Sequence, residues 1–531
     1  MHLWTLQEEE ITLRKLFALY TNEMIKISKK ASVIVILAIM VAIIFGFGGL
    51  MKYQDSSNAR NNNNYSNNTE FQKEDMNRQI EDVKTQIAEI QKQKSSATGV
   101  DLQNLEAQER SLQNQVDMFQ YAKDKEITLS SNSFRAQATQ RLFSYKEIVS
   151  QLNSIPVINL TEEQKTQLSK AQSDVAALQS VIENKDFKEY ISLLNTDINS
   201  DTSTSSEEKK IYLESNELRL KYNLTGEVDG VANMDGNVDN SIYQIENGKR
   251  SLLYDLDYTG NSQSPKPLTP ELRIKIENDI AVAEYKLEKS NLNNTTTDNM
   301  GMDVKSIAMP GMLSIGRFMI VILVMILAGG SISSEMSTGS IKSLIISPTK
   351  RWKIFIAKFL SLLTIGVLAA LIAYIFSIIA NGIFFGFGSG TSYIYATNGV
   401  AHELNFYIYH LARLFTDFIV VIVYMTLALM LSIITRNTAA SVAISIAVYF
   451  VGNTANSILM QFVKGDWIKF IPFNNLNFTA KIFTNDSISQ SLLGMTSGTN
   501  NSLTFSLIYV AILLVCMGYV GLDSFNRRDI K

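Results

Sequence analysis

The sequence holds one cysteine, Cys516, seven prolines and three histidines among 531 residues. A lone thiol excludes an intramolecular disulfide and any metal site built on thiolates. So few prolines leave long helices uninterrupted. There is no G-x-x-x-x-G-K-[ST] phosphate loop: Gly248–Lys249 lacks its partner glycine, and Tyr243 stands in that place. The chain therefore cannot bind ATP in that way by itself. His402–Glu403 is followed by His410 where H-E-x-x-H would need a histidine four residues earlier, so no zinc site is expected there. Catalytic carboxylates or histidines converging near a membrane interface are missing too. That counts against an enzyme acting on lipid or cell-wall precursors.

Apolar residues are plentiful but unevenly placed. At 46% hydrophobic and 19% charged, the averages resemble a soluble protein. The apolar residues concentrate in Val33–Leu50 and after Met309, in runs long enough to cross a hydrocarbon core, which takes about 20 helical residues. The reading is an all-α membrane protein with spans over 31–51, 309–333, 354–380, 411–434, 438–461 and 503–524. Residues 52–310 carry about eleven more acidic than basic side chains, leaving the rest basic by about eight. The short segments 334–353 and Thr435–Asn437 and the 525–531 tail carry the Lys/Arg excess, whereas 381–410 and 462–502 carry little. The positive-inside rule then places both termini in the cytoplasm and 52–308 outside. Lys26, Lys29 and Lys30 precede the first apolar run, but FGFGGLMK offers no small-x-small cleavage site, so a retained anchor is expected instead of a signal peptide.

Residues 1–30 read as an amphipathic helix lying in the interface. Leu13, Leu16, Phe17, Tyr20, Met24 and Ile27 take one face; Arg14, Lys15, Asn22, Glu23, Lys26 and Lys29 take the other. The insertion at 52–308 opens with the asparagine-rich SSNARNNNNYSNNTE, read as a flexible linker. Heptads follow at Met76, Ile80, Val83, Ile87 and Ile90, then at Leu102, Leu105, Leu112, Val116 and Phe119, with Glu109 interrupting the rhythm. They predict an antiparallel coiled-coil hairpin around SSATGVD. Thr161 with Gln164 forms a capping box for a helix striped by Leu168, Ala171, Val175, Leu178 and Ile182. Thr269–Pro270 starts another, striped by Leu272, Ile276, Ile280, Ala283 and Leu287. These stripes are read as packing seams. In VANMDGNVDNSI, Asn233, Asp235, Gly236 and Asp239 fit a calcium loop, but Val231 and Ile242 occupy its first and twelfth positions, so a solvated turn is the better reading.

Ionisable residues are scarce inside the spans, which counts against an ion-coupled carrier. Arg413 and Asp417, one turn apart at the outer end of the fourth span, are expected to pair at the membrane interface, and Arg317 to snorkel outward.

The segment between the second and third spans carries the most specific pattern. Glu335, Gly339–Ser340, Leu344, Ser347–Pro348, Lys350–Arg351 and Lys358 read E-x3-G-[ST]-x3-L-x2-[ST]-P-x-[KR]-R-x6-K. This resembles the loop after the second span in permease subunits of the ABC-2 type exporter family. The helix LRKLFALYTNEMIKISKK is similar to that family's interfacial elbow helix. The resemblance covers residues 12–50 and 310–531, and the long helical insertion departs from compact members. It implies a coupling helix that docks on a separate ATPase subunit, which would bind the ATP and magnesium; this chain would hold no cofactor. Glu335, Gly339, Lys342, Ser347, Pro348, Lys350 and Arg351 would form the coupling element, and Leu16, Phe17, Glu23 and Lys26 would belong to the elbow helix. A second permease domain, of the same or another chain, would complete the path. Export of a peptide, drug or other amphiphile is the implied function, with no nucleic-acid partner. The alternative is a membrane-anchored sensor or scaffold whose outer domain binds a ligand such as an antimicrobial peptide. It would call for a cytoplasmic signalling domain, and about thirty N-terminal residues are all the sequence offers.

Overall fold

The computed structural model describes residues 2–66, 69–228, 231–232, 237–259, 265–293, 304–338, 350–388, 390, 392–462, 465–483 and 501–527. They fall into two compact units, Met1–Gln54 with Asp303–Tyr393 and Glu403–Lys531, and Asp55–Met302 with Ile394–His402.

Six helices of the described residues are long and apolar enough to span a membrane. In the first unit, α1 (His2–Ser28) precedes α2 (Ala31–Ser66), whose apolar part is the first candidate span. Next come α11 (Val304–Ser331), the short α12 (Ser333–Ser337), α13 (Arg351–Phe385), α14 (Phe406–Thr435), α15 (Thr438–Phe462), α16 (Phe478–Ile482) and α17 (Leu503–Arg527). The most enclosed span is α11, which packs on α13, α14 and α15, with Met312, Val324, Met325 and Ala328 wholly buried. Its end is pinned where it breaks into α12: the Ile332 and Ser333 amides donate to Ser432 Oγ at 3.3 and 3.0 Å. Those amides would otherwise be orphaned in an apolar setting, so a serine on α14 is what permits the kink. The tight turn between α14 and α15 closes with Arg436 in the left-handed region (φ 53°) and Asn437 Oδ1 accepting from the Ala440 amide.

Sequence reasoning missed a hairpin, β3 (Tyr393–Thr397) to β4 (Val400–Leu404), inside the loop expected over 381–410. Its turn is Asn398–Gly399, both at positive φ, and Asn-Gly between β-prone residues is a hairpin signal that was there to be read. Between α15 and α17, two 3₁₀ turns and α16 are held by amides. The buried Asn475 donates to Lys469 O and Ile471 O and accepts from Ser506 Oγ and Asn501 Nδ2.

The second unit is helical: α3 (Thr69–Lys94), α4 (Val100–Asp124), α5 (Phe134–Asn153), α6 (Glu162–Asn184), α7 (Phe187–Ser200), α8 (Ser206–Lys221), α9 (Asn237–Tyr254) and α10 (Pro270–Asn293), with the small pair β1 (Glu227–Val228) and β2 (Val231–Ala232). The Thr161–Gln164 capping box forms as read, and Thr269 Oγ1 accepts the Leu272 amide at the start of α10. Leu178 and Ile182 join Leu142, Phe143 and Tyr190 in one core; Ala283 and Leu287 join Ile242 and Ile245 in another. One expectation fails. The asparagine-rich run is helical as far as Ser66, because adding residues to a helix already nucleated in the first span costs little even for poor formers. Asn233, Asp235 and Gly236 of the weighed calcium loop lie outside the described residues.

Helices α3 and α4 pair through Ile80, Val83, Ile87, Leu112, Val116 and Phe119. Lys94 meets Glu109 at 2.7 Å and Lys123 meets Asn77 at 2.7 Å, cross-links whose numbers run in opposite senses, as antiparallel helices require. Glu109 breaks the apolar rhythm because it accepts from both Lys94 and Gln91. Those hydrogen bonds hold its carboxyl below the ordinary range. The contribution is therefore present above that range and lost as pH falls through the lowered value. A Lys94→Ala, Glu109→Ala double-mutant cycle should give a coupling of about 0.5–1 kcal/mol that fades in high salt. Zero coupling at low salt would show that the pair is ornamental.

Candidate functional site

The residues read from sequence as elbow and coupling elements converge on a lysine. Lys358 lies two turns into α13 and its side chain is 2% exposed. An ammonium there needs compensation, because an isolated charge in low dielectric is costly by several kcal/mol. It receives three partners. Lys358 Nζ donates to Glu23 Oε2 on α1 at 2.9 Å, to Glu335 Oε1 on α12 at 3.0 Å, and to the Ser331 carbonyl at the end of α11 at 3.1 Å. That carbonyl belongs to a helix C-terminus, where a cation is favoured. Lys26 closes the ring, reaching Glu23 Oε1 at 3.1 Å and Glu335 Oε1 at 3.3 Å. Burial pushes the Glu23 carboxyl up, but Lys358 and then Lys26 outweigh it, and its pKa ends below the ordinary value. Burial likewise opposes the Lys26 ammonium, and Glu23 and Glu335 outweigh it, raising its pKa.

Two balanced charge pairs thus tie α1, α12 and the start of α13 together. Tyr20 adds a hydrogen bond to Thr364 of α13 at 3.0 Å. This corrects the helical-wheel reading of α1, in which Glu23 faced solvent. Glu23 is buried, with Tyr20 and Ile27 three before and four after it on the same face. Of the apolar face read for α1, Phe17 is 69% exposed and Leu16 is half-buried.

Of the remaining coupling residues, Lys350 is exposed immediately before α13. Arg351 does not point away from the protein: its Nη1 donates to the carbonyls of Phe525 and Asn526 at the end of α17, at 3.1 and 3.0 Å. Lys353, two residues on, is buried. Gly339, Lys342, Ser347 and Pro348, which the implied coupling helix would involve, lie outside the described residues.

A second charged cluster joins α11, α14 and α16. Arg413 and Asp417 approach only to 3.9 Å, whereas Arg317 Nη1 reaches Asp417 Oδ1 at 2.9 Å. Arg317 therefore turns inward, against the snorkelling expected of it. Thr479 Oγ1 donates to the same Asp417 oxygen at 2.6 Å, and Thr416 Oγ1 lies 2.7 Å from Thr479 Oγ1. A small cleft lined by Leu313, Ile320, Phe418 and Val421 adjoins the cluster. Asp417 has one hydroxyl and two guanidiniums around it, so it can serve as a lock between helices. Sequence reasoning found Arg413 and Asp417 from their i, i+4 spacing. Arg317 and Thr479 come from distant elements, and no local spacing could reveal them.

A family model described as ABC-2 family transporter protein matches residues 17–530. Two proteins of Bacillus subtilis (strain 168) are similar to the chain. Uncharacterized protein YhcI is 32% identical over 209 residues, 39% of this chain and 63% of that protein. Uncharacterized membrane protein YdbK is 26% identical over 209 residues, 39% of this chain and 77% of that protein.

Proposed function

Because the chain belongs to the ABC-2 family of transporter proteins, we propose that it is a permease subunit driven by a separate ATPase subunit docking on residues 334–353. In this reading the partner binds ATP and magnesium, a second permease subunit completes the path, and the exported substrate is a peptide, drug or other amphiphile. Both termini are cytoplasmic in a bacterial cell membrane, and residues 52–308 lie outside.

The Lys358 cluster is the observation that carries the reading. A docking segment transmits force only if its first leg is tied to the helices that must move. Glu335, at the head of that segment, is bound to α1 and α13 through Lys26 and Lys358. A push on 334–353 would therefore reach the elbow helix and the third span together.

The test must spare that cluster. Glu335 and Arg351 each make internal contacts, so reversing them would disturb the fold as well as docking. Lys342→Glu with Lys350→Glu is the better variant. An ATPase subunit should be recovered with the native chain from detergent-solubilised membranes, and recovery should fall at least about tenfold with the variant, the equivalent of about 1.4 kcal/mol of lost binding. If no nucleotide-binding partner accompanies either chain, the transporter reading fails.

A further inference from the structure

The helical insertion contains a cleft of about 470 Å³ between α5, α7 and α8. That volume lies within the range of small-molecule sites. Its floor is apolar and aromatic. Phe134, Phe187 and Tyr190 are buried, with the Phe134 ring 5.4 Å from Phe187 and 6.0 Å from Tyr190. These rings close the floor from beneath, and the apolar surface open to a ligand comes from the half-buried Leu194 and Leu224 beside them.

The rim is polar, and its charge is of one sign. Among the described residues, Arg141 and Arg219 line the cleft and no aspartate or glutamate does. This runs against the insertion as a whole, where acidic residues exceed basic ones. Each guanidinium is steadied by groups that do not line the cleft. Arg141 bonds Asp197, and Arg219 donates to Asn216 Oδ1 at 2.8 Å with Glu246 3.9 Å away. Both act on one point: burial raises the Tyr190 phenol, and the positive charges of Arg141 and Arg219 pull it the other way. Gln137, which accepts from that phenol at 3.4 Å, stands with Gln140 on the exposed wall. Planar guanidiniums held in place beside an open space are the arrangement that binds carboxylate or phosphate.

We propose that this cleft binds a small amphiphile with an anionic head, its apolar body against Leu194 and Leu224 above the aromatic floor and its head between Arg141 and Arg219. The site has a charge preference opposite to that of the surface around it. It concerns the insertion alone and does not depend on an ATPase partner.

The test uses the full-length chain in nanodiscs of zwitterionic lipid, titrated with octanoate, octyl phosphate and octylammonium against empty nanodiscs. Saturable heat with octanoate or octyl phosphate, and none with octylammonium, is expected. The tighter of the two anions identifies the head as carboxylate or phosphate. Arg219→Gln should weaken binding at least about tenfold, and Arg219→Lys should restore part of it. Gln140→Trp, at an exposed position, fills the cleft without touching either arginine and should abolish binding even if Arg219→Gln fails to fold. Equal binding of octylammonium, binding unchanged in Gln140→Trp, or no saturable binding of either anion would each overturn the proposal.

Discussion

Lys358→Ala will lower the apparent melting temperature of the detergent-solubilised protein by about 10 °C, corresponding to a loss of about 3–5 kcal/mol. The size follows from what is left behind. Glu23 stays buried and Glu335 half-buried, and Lys26, whose side chain is 44% exposed, is the weaker of their two lysine partners. Removing one member of a buried charge network costs more than removing all of it. The triple variant Lys358→Met, Glu23→Gln, Glu335→Gln should therefore be more stable than Lys358→Ala alone. The pH dependence supplies a second check. In the native chain the lowered Glu23 pKa means that its contribution is full above the ordinary carboxylate range and lost as pH falls through the lowered value. Without Lys358, only Lys26 opposes the effect of burial, and the Glu23 pKa rises from its native value. The deficit of the variant relative to the native chain should then shrink between pH 8 and pH 5. A deficit that is constant across that interval would mean that lost packing, and not uncompensated charge, explains the effect.

Asp417→Ala should be comparably damaging. It leaves the inward-turned Arg317 without the carboxylate 2.9 Å away, in a side chain that is 13% exposed, and costs about 3–5 kcal/mol. Thr479→Val, which removes the hydroxyl on Asp417 and with it the partner of Thr416, should cost about 1.5–3 kcal/mol. The charge-free pair Arg317→Met, Asp417→Leu should recover most of the stability lost in Asp417→Ala. Melting curves of the variants, with full-length yield as a second readout, check the order. If Asp417→Ala melts with the native chain, the cluster does not hold α11 to α14, and a role in the transport path becomes the better explanation.

Local patterns were legible where one element suffices to generate them. The candidate spans, the Thr161 capping box and the stripes of α6 and α10 each depend on residues within a few turns, and each emerges from the sequence. Asn398–Gly399 was equally local and equally legible, but an expected featureless loop concealed it. The clusters were only half legible. Glu23, Lys26, Glu335 and Lys358 all stand in the two stretches singled out by resemblance, yet nothing in either stretch says that one neutralises the other. A helical wheel assigns charge to solvent by default, and so placed Glu23 on the wrong side. Arg317 was misread for the same reason: snorkelling is the low-cost answer for an arginine near the end of a span until a distant carboxylate is known. The cleft in the insertion has no linear signature, since its lining gathers from α5, α7 and α8.

The ring around Lys358 also bears on how the chain is made. Glu23 and Lys358 are 335 residues apart, and at about 5–20 residues per second their synthesis is separated by roughly 20–70 seconds. Throughout that interval the insertion is being produced while α1 has none of its α13 contacts. Until then the nascent α1 has Glu23 and Lys26 as each other's neighbours, three residues apart. Only when the third span is integrated does its lysine draw α1 and α12 together. Completion of the ring thus marks a late step in biogenesis, at which a helix translated well before its partners is finally committed to its place.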